Sequence, residues 1–427
     1  MSRIIWYGVG KNLSDYEERF VSETGYPEFI VDRDTKKQGS IYTFVNGSEC
    51  PIIAPNELVE KYQDSEIWIT LADHNIQACF NYMTELGVVQ ERIRLFGNRE
   101  YRLGCQNLNY YCYVQSMNVK TCAHEPWTTL FSFEKKVLSA DDIRNKLDEL
   151  EQWRADTIEA LRNGEKTPCH GCAGLQYGTY TRNPVIRTFA VGPNFAGGTK
   201  CNADCFYCSQ RSSMEREEKS IQELSNYDIH KIAADYYPDI EEIILADGEP
   251  TVSRDIGKIM DLAKEKKWSV QLNTNGIIFT EQIADTIASG KRSFVSVSLD
   301  SGTAETYKKI KRVDTFERVI NNLRAYRERG CELTLKYIVI PGCNDTIEEI
   351  SGFIDICKSL KCKHVTLSQN LHNVVDGVAD VGDPNMPEGL FMLFTYFVAR
   401  LQEEDIYWDF QIEFINKHDY ERLEKLR

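Results

Sequence analysis

The chain has 427 residues, room for more than one hydrophobic core. Its 42% hydrophobic and 27% charged residues make a globular composition, which excludes a disordered or fibrous protein. With 65 acidic against 50 basic residues and a formal net charge of −15, it is not expected to track the phosphates of a nucleic acid.

The opening MSRIIWYGVGKNL has no apolar signal core, and the longest apolar run, Leu390–Ala399, is too short to cross a bilayer. A cytoplasmic protein with no membrane partner is expected. Fourteen cysteines in such a chain point to metal or redox chemistry wherever thiols cluster, and not to a disulfide framework.

From the start, strand-like runs alternate with helical stretches: IIWYGV, a helix near Asp15–Thr24, FIVD, the Pro-started PNELVEKY, EIWITLA, a helix near Asn75–Leu86, and RIRLF. That alternation predicts a parallel sheet covered by helices, a Rossmann-like domain over residues 1–125. Gly8 and Gly10 form a Gly-x-Gly turn that would let a phosphate approach a helix N-terminus, and Asp32 stands where a ribose hydroxyl would be met. The third glycine of that fingerprint is replaced by Leu13. The alternative is a degenerate Rossmann-like module used for docking or structure. The stretch resembles the small nucleotide- or nucleotide-sugar-binding domains at the start of some sugar-modifying enzymes.

Next come Cys105, Cys112 and Cys122, with His124 nearby, and a charged helical stretch near Ser139–Asn163. TPCHGCAG then places Cys169 and Cys172 in a C-x2-C turn around His170. Residues 126–184 are expected to be a helical linker bearing this loop. With two of the upstream cysteines, or one and His124, the pair could build a zinc site or a second iron–sulfur cluster. The alternative is a loop of unligated thiols.

The second half alternates more regularly. Strands are expected at 185–191, 242–246, 269–273, 293–299, 333–340 and 364–368. Helices are expected at Ile221–Tyr236, Arg254–Lys266, Glu281–Ser289, Phe316–Arg329 and Thr346–Leu360. Six such steps with right-handed crossovers predict an α/β partial (β/α)6 barrel over 185–385, followed by a helix–strand–helix extension over 386–427. Cys331, Cys343, Cys357 and Cys362 sit singly among apolar residues and read as packing.

CNADCFYC, residues 201–208, follows the first of these strands after the glycine-bearing GPNFAGGTK. Three thiolates suit zinc with a fourth ligand supplied elsewhere, or a four-iron cluster with one iron left open. The C-x3-C-x-aromatic-C spacing resembles the signature of the radical S-adenosylmethionine (SAM) superfamily, and the resemblance runs from about Val185 to Asn370. It implies that Cys201, Cys205 and Cys208 ligate three irons of a [4Fe–4S] cluster. SAM would chelate the fourth iron, and Tyr207 would pack over the cluster.

Later strand ends extend the resemblance. ADGEPT resembles a GGE-type motif with Asp247 in place of the first glycine, which assigns Asp247, Gly248, Glu249 and Pro250 to the SAM site. Its alternative is an ordinary Asp-Gly turn. Thr274 or Asn275 of NTNG could reach SAM, and Ser298 matches a hydroxyl used near it in the family. Asp300 follows, either in the site or as a helix cap. Lys336 could lean into the barrel and pair with a carboxylate, or face solvent.

The resemblance implies reductive cleavage of SAM to a 5′-deoxyadenosyl radical, with an electron from a flavodoxin or ferredoxin. The expected substrate is small and polar, a sugar or nucleotide-sugar. A peptide-modifying radical SAM enzyme and a non-catalytic zinc protein are the alternatives. No residue is singled out as quenching the product radical.

Overall fold

The computed structural model describes residues 3–114, 118–122, 131–133, 138–170, 172, 174–192, 201–208, 224–246, 248–370, 386–411 and 417–426. The chain divides by packing into two units. The first comprises residues 1–105, 158–166 and 175–184, and the second 106–157, 167–174 and 185–427.

In the first unit the strands are β1 (Ile4–Tyr7), β2 (Phe29–Val31), β3 (Ile41–Thr43), β4 (Glu49–Ile53), β5 (Glu66–Ile69), β6 (Ile93–Leu95), β7 (Arg99–Gly104) and β10 (Gln176–Thr181). They form one sheet in the order β10-β7-β6-β5-β1-β2-β4-β3. The stretch β4-β2-β1-β5-β6 is parallel, and β3, β7 and β10 add antiparallel pairs at the two ends. Strand alternation sends Ile5 and Tyr7 to one apolar layer with Ile76, Phe80 and Met83. Trp6 faces the other layer, where its ring meets Phe20, Phe44 and Phe96 edge-on.

The second unit holds β8 (Tyr111–Val114), β9 (Val119–Lys120), β11 (Thr188–Val191), β12 (Glu242–Leu245), β13 (Ser269–Thr274), β14 (Phe294–Ser298), β15 (Glu332–Val339), β16 (His364–Gln369) and β17 (Tyr407–Phe410). Their order is β17-β16-β15-β14-β13-β12-β11-β8-β9, all parallel except β9. The sheet is open, with β17 and β9 as its edges among the described residues, so the barrel is partial.

Five of the expected helices lie between these strands, the first described from Asn226. Ser225, Thr280, Thr303 and Thr346 start helices by accepting a backbone N–H three residues on. Val295, Val297, Leu335, Tyr337 and Leu367 point to the helix layer and are fully buried, each contributing about 1.5–3 kcal/mol of apolar burial.

Sheet pairing cuts across the expected four-part division. Residues 111–114 pair with β11, and so belong with the second sheet instead of the Rossmann-like domain. β10, expected within a linker, pairs with β7 of the first sheet. The extension contributes β17, which pairs with β16. A helix outside the five expected ranges, Ala304–Lys311, follows β14.

Candidate active site

Cys201, Cys205 and Cys208 lie beyond the C-terminal end of β11, where ligands of open parallel sheets gather. Helix Ala304–Lys311 leaves its last carbonyls unsatisfied, and the cysteine loop covers two of them. Asp204 N–H donates to the Lys311 carbonyl at 3.1 Å, and Phe206 N–H to that of Ile310 at 3.1 Å. Within the loop, Cys208 N–H donates to the Cys205 carbonyl at 3.1 Å.

Two N–H groups aim at the Cys201 sulfur: Ala203 N–H at 3.4 Å and Asn275 Nδ2 at 3.7 Å. Burial pushes the Cys201 thiol up, and Cys205 is pushed up to about 11. Lys311 draws the Cys205 value down, while Asp300, Cys201 and Cys208 push it up. Burial is thus the main obstacle to ionising Cys201 and Cys205, and a cationic centre would relieve it.

Glu249, expected at the SAM site, is 2% exposed and spends its carboxylate inside the protein. It accepts from Thr251 N–H at 3.1 Å, the Thr251 hydroxyl, the Thr274 hydroxyl at 2.6 Å and Asn275 N–H at 2.7 Å. Thr274 Oγ1 in turn accepts Gly276 N–H at 3.1 Å. These two clasp the ends of β12 and β13, and the clasp sets Asn275 against Cys201. Gly248 has φ of +60°, and Pro250 opens the short turn Pro250–Val252. Asp247 lies outside the described residues.

Asp300 does not cap the helix that follows it; the Thr303 hydroxyl does, accepting Thr306 N–H at 3.2 Å. Asp300 instead sits fully buried at φ of +57° in an ion pair with Lys311, whose side chain is 2% exposed. Tyr207 OH donates to Asp300 Oδ2 at 2.6 Å, and Lys311 Nζ donates to the tyrosine oxygen at 2.8 Å. Burial opposes the lysine charge, but Asp300 with Tyr207 and Cys205 outweighs it and holds the amine well above its usual value. Lys311 carried no motif and was missed in the sequence; its partners lie 11 and 104 residues away.

On the sheet face away from the helices, Ser298 and Lys336 are direct register neighbours. Lys336 Nζ donates to Gln411 Oε1, just past β17. Thr334 Oγ1 lies 3.2 Å from His364 Nδ1, and His364 Nε2 lies 3.0 Å from Asp409 Oδ2, linking β15, β16 and β17.

Residues 197–354 match the Radical SAM superfamily. They form a radical SAM domain. A relative described as probable GTP 3′,8-cyclase from Saccharolobus islandicus (strain Y.N.15.51 / Yellowstone #2) is 32% identical over 178 residues, covering 41% of this chain and 54% of its own. A protein of the same description from Methanocaldococcus jannaschii is 26% identical over 162 residues, covering 38% of this chain and 53% of its own. The chain thus spans about half the length of the curated relatives it matches. Among solved structures, Streptococcus suis SuiB bound to S-adenosylmethionine aligns with TM-score 0.42 and 15% identity over 62% of this chain and 56% of its own. TYW1 with a lysine-pyruvate adduct aligns with TM-score 0.36 and 17% identity over 51% of this chain and 73% of its own.

The cofactors of radical SAM domains are a [4Fe–4S] cluster and SAM. The loop fits the cluster on its own chemistry: three soft donors within eight residues, with N–H groups already directed at one sulfur.

The other cysteines divide. Cys112 is fully buried in the apolar core, and burial pushes its thiol up to about 12. Cys331, Cys357 and Cys362 are also buried, while Cys343 is half-buried. Cys105 falls in the first unit; Cys122, Cys169 and Cys172 fall in the second and are half-buried. Cys172 N–H donates to the Cys169 carbonyl at 3.2 Å, and Thr167 N–H donates to His170 Nδ1 at 2.9 Å. His124 lies outside the described residues. Among the described residues, no three His, Cys, Asp or Glu side chains converge as ligands of a single ion. That holds for Cys201, Cys205 and Cys208 too.

In the first unit, Gly8 has φ of +113°, and a Cβ there would stand 2.4 Å from Leu71 Cδ2, so only glycine fits. Asp32 accepts Val9 N–H at 2.7 Å and Asp34 N–H at 2.8 Å, and pairs with Lys37 at 3.4 Å. Its carboxylate is occupied in fastening the Gly8–Gly10 turn to the end of β2. No helix among the described residues is long and apolar enough to cross a membrane.

Proposed function

We propose that this chain is a radical SAM enzyme that takes a hydrogen atom from a small polar substrate of the nucleotide or nucleotide-sugar class. The reading is carried by the three-cysteine loop beyond β11, with Asn275 and Ala203 directed at the Cys201 sulfur. Cys201, Cys205 and Cys208 would hold the cluster. When bound, cluster and SAM supply reductive cleavage to methionine and a 5′-deoxyadenosyl radical.

The chain's own residues do the holding. Glu249 and Thr274 fix the β12 and β13 ends, and the backbone of Gly248 and Pro250 stands at the β12 end beside them. The open face of the sheet presents polar rows, Asn273, Ser296, Thr334 and His364, then Ser298, Lys336, Thr366 and Asp409. Such a surface suits a hydroxyl-rich ligand and offers little to an apolar one. The relatives described as GTP 3′,8-cyclases act, by that description, on a nucleotide, which favours the nucleotide class. A separate flavodoxin or ferredoxin would deliver the electron.

The test is anaerobic reconstitution, with iron, sulfide and zinc analysis, then 5′-deoxyadenosine measured with dithionite as reductant. Iron near four per chain and 5′-deoxyadenosine that rises with one member of a nucleotide and nucleotide-sugar panel are expected. Zinc without iron, or no 5′-deoxyadenosine from an iron-loaded chain, would overturn the reading.

A further inference from the structure

On β13 the helix-facing Val270 and Leu272 are fully buried, while Gln271 and Asn273 turn to the open face of the sheet and are half-buried. Residues two apart on a strand stand about 6.6 Å apart along it. These two amides nevertheless meet, with Gln271 Nε2 donating to Asn273 Oδ1 at 3.2 Å. Asn275, two residues further on, donates to Asn202 Oδ1 at 2.6 Å and stands 3.7 Å from the Cys201 sulfur. A line of three carboxamides therefore leads along the open face to the cysteine loop. Ser296 lies beside Asn273 in register, and Ile244 and Phe294 flank Gln271.

A half-exposed amide pair adds little to the stability of the sheet. Asparagine is depleted from strands, and β13 runs between β12 and β14 with no edge of its own. Its presence there needs a reason. A carboxamide offers two N–H donors and a carbonyl with two lone pairs, and the Gln271–Asn273 bond uses one of each. Among the described residues neither side chain has another partner. The pair is left with the NH2 of Asn273 and the carbonyl of Gln271. Turning both amides over exchanges which residue supplies which, without changing the set. The pair thus presents a donor and an acceptor side by side, next to the apolar Ile244 and Phe294.

The complement is a substrate edge that accepts and donates together. Hydroxyls on adjacent carbons meet that need, and so does the lactam edge of a nucleobase. Position decides between them. The carbon that gives up a hydrogen atom must lie towards the cysteine loop, and in a nucleotide or nucleotide-sugar the saturated, hydroxyl-bearing carbons belong to the sugar. Resting on the radical SAM reading above, we infer that Gln271 and Asn273 are specificity-determining residues that read adjacent hydroxyls of the substrate's sugar.

The test uses the full chain, reconstituted with iron and sulfide, in calorimetric titrations with the four ribonucleoside triphosphates and UDP-glucose. Each triphosphate is paired with its 2′-deoxy and 3′-deoxy analogues, and UDP-glucose with its 2-deoxyglucosyl analogue. Wild type is expected to bind a probe about tenfold more tightly than its deoxy analogue, because the analogue leaves an amide group unpaired. In Asn273→Leu and in Gln271→Met, each close in shape to the original side chain, that ratio should fall to about one while the deoxy analogue binds as before. Either variant carries the test by itself if the other does not fold. Folded variants that keep the wild-type ratio overturn the inference, as does a wild-type chain that binds no probe or does not distinguish the analogues. Variants that lose a preference among the bases but keep the hydroxyl ratio place the contact on the nucleobase, and overturn it too. Each of these failures leaves the radical SAM reading standing if the same protein forms 5′-deoxyadenosine from SAM with dithionite. Wild-type protein that takes up no iron overturns that reading and the inference together.

Discussion

At the scale of single residues, the site separates side chains that could meet a cofactor from those that hold them. Glu249 is the clearest holder. Replacing it by Ala leaves Thr251 N–H, Asn275 N–H and the Thr274 hydroxyl without their acceptor in a buried place. Each lost partner costs about 1–3 kcal/mol, with partial relaxation, so Glu249→Ala should lower unfolding free energy by about 3 kcal/mol in urea titrations. An unchanged urea midpoint would show the clasp to be idle. Sequence pattern pointed to Glu249 as part of a motif, but a motif marks a position without saying which way its carboxylate turns.

His230 shows a residue effect of another kind. It is fully buried, donates its Nδ1–H to the Asn226 carbonyl at 2.7 Å, and burial lowers its pKa from 6.5 to about 4. A base whose folded pKa is depressed contributes stability above its unfolded value, and that contribution is lost as pH falls from 6.5 towards 4. The full loss is on the order of 3 kcal/mol. His230→Phe should therefore be less acid-sensitive than wild type between pH 7 and 4, read from unfolding free energies. An equal acid loss in both proteins would place the sensitivity elsewhere.

At the scale of elements, the strands of the radical SAM domain were legible because buried parallel strands are short apolar runs between helices. The run at 269–273 is β13 over Ser269–Thr274, and the helix expected over Glu281–Ser289 is observed with those bounds. Helix Ala304–Lys311 was not legible: it has only eight residues and crowds three lysines, Lys308, Lys309 and Lys311, into its last turn. Its position depends on a close backbone crossing that no periodicity reveals. A Cβ on Gly302 would lie 2.1 Å from the Glu349 carbonyl oxygen, inside helix Ile347–Ser359. Glu349 also accepts Gly302 N–H at 2.7 Å and the Thr303 hydroxyl at 2.7 Å. Gly302→Ala must push these elements apart, and is expected to cost about 1–3 kcal/mol and to loosen the start of the helix that carries Lys311. Thermal unfolding followed by circular dichroism would measure it, and a wild-type transition would contradict the crossing.

At the scale of the whole molecule, the expected extension 386–427 is where sequence and fold diverge most usefully. Pattern alone separated it because it lies beyond the sixth expected strand. In the fold, β17 pairs with β16 along four residues, and Phe394, Phe397, Leu401, Trp408 and Phe410 are buried in the core of the second unit. Phe397 meets the rings of Tyr337 and Phe353 at 5.1 and 5.8 Å, so the segment covers β15 and helix Ile347–Ser359 from outside the matched residues 197–354. Ending the chain at residue 386 would uncover that apolar layer and leave β16 as a bare edge, both of which invite association. Every motif cysteine would still be present. The truncated chain is nevertheless expected to lose its cooperative thermal transition and its iron uptake, measured by calorimetry and by iron analysis after reconstitution. Iron uptake and a sharp transition in the truncated chain would mean that 386–427 is an appendage after all. The expected loss would mean that the cluster loop depends on a sheet built past the family match, with His364 tied to Asp409 on its last strand and Lys336 to Gln411 just beyond it.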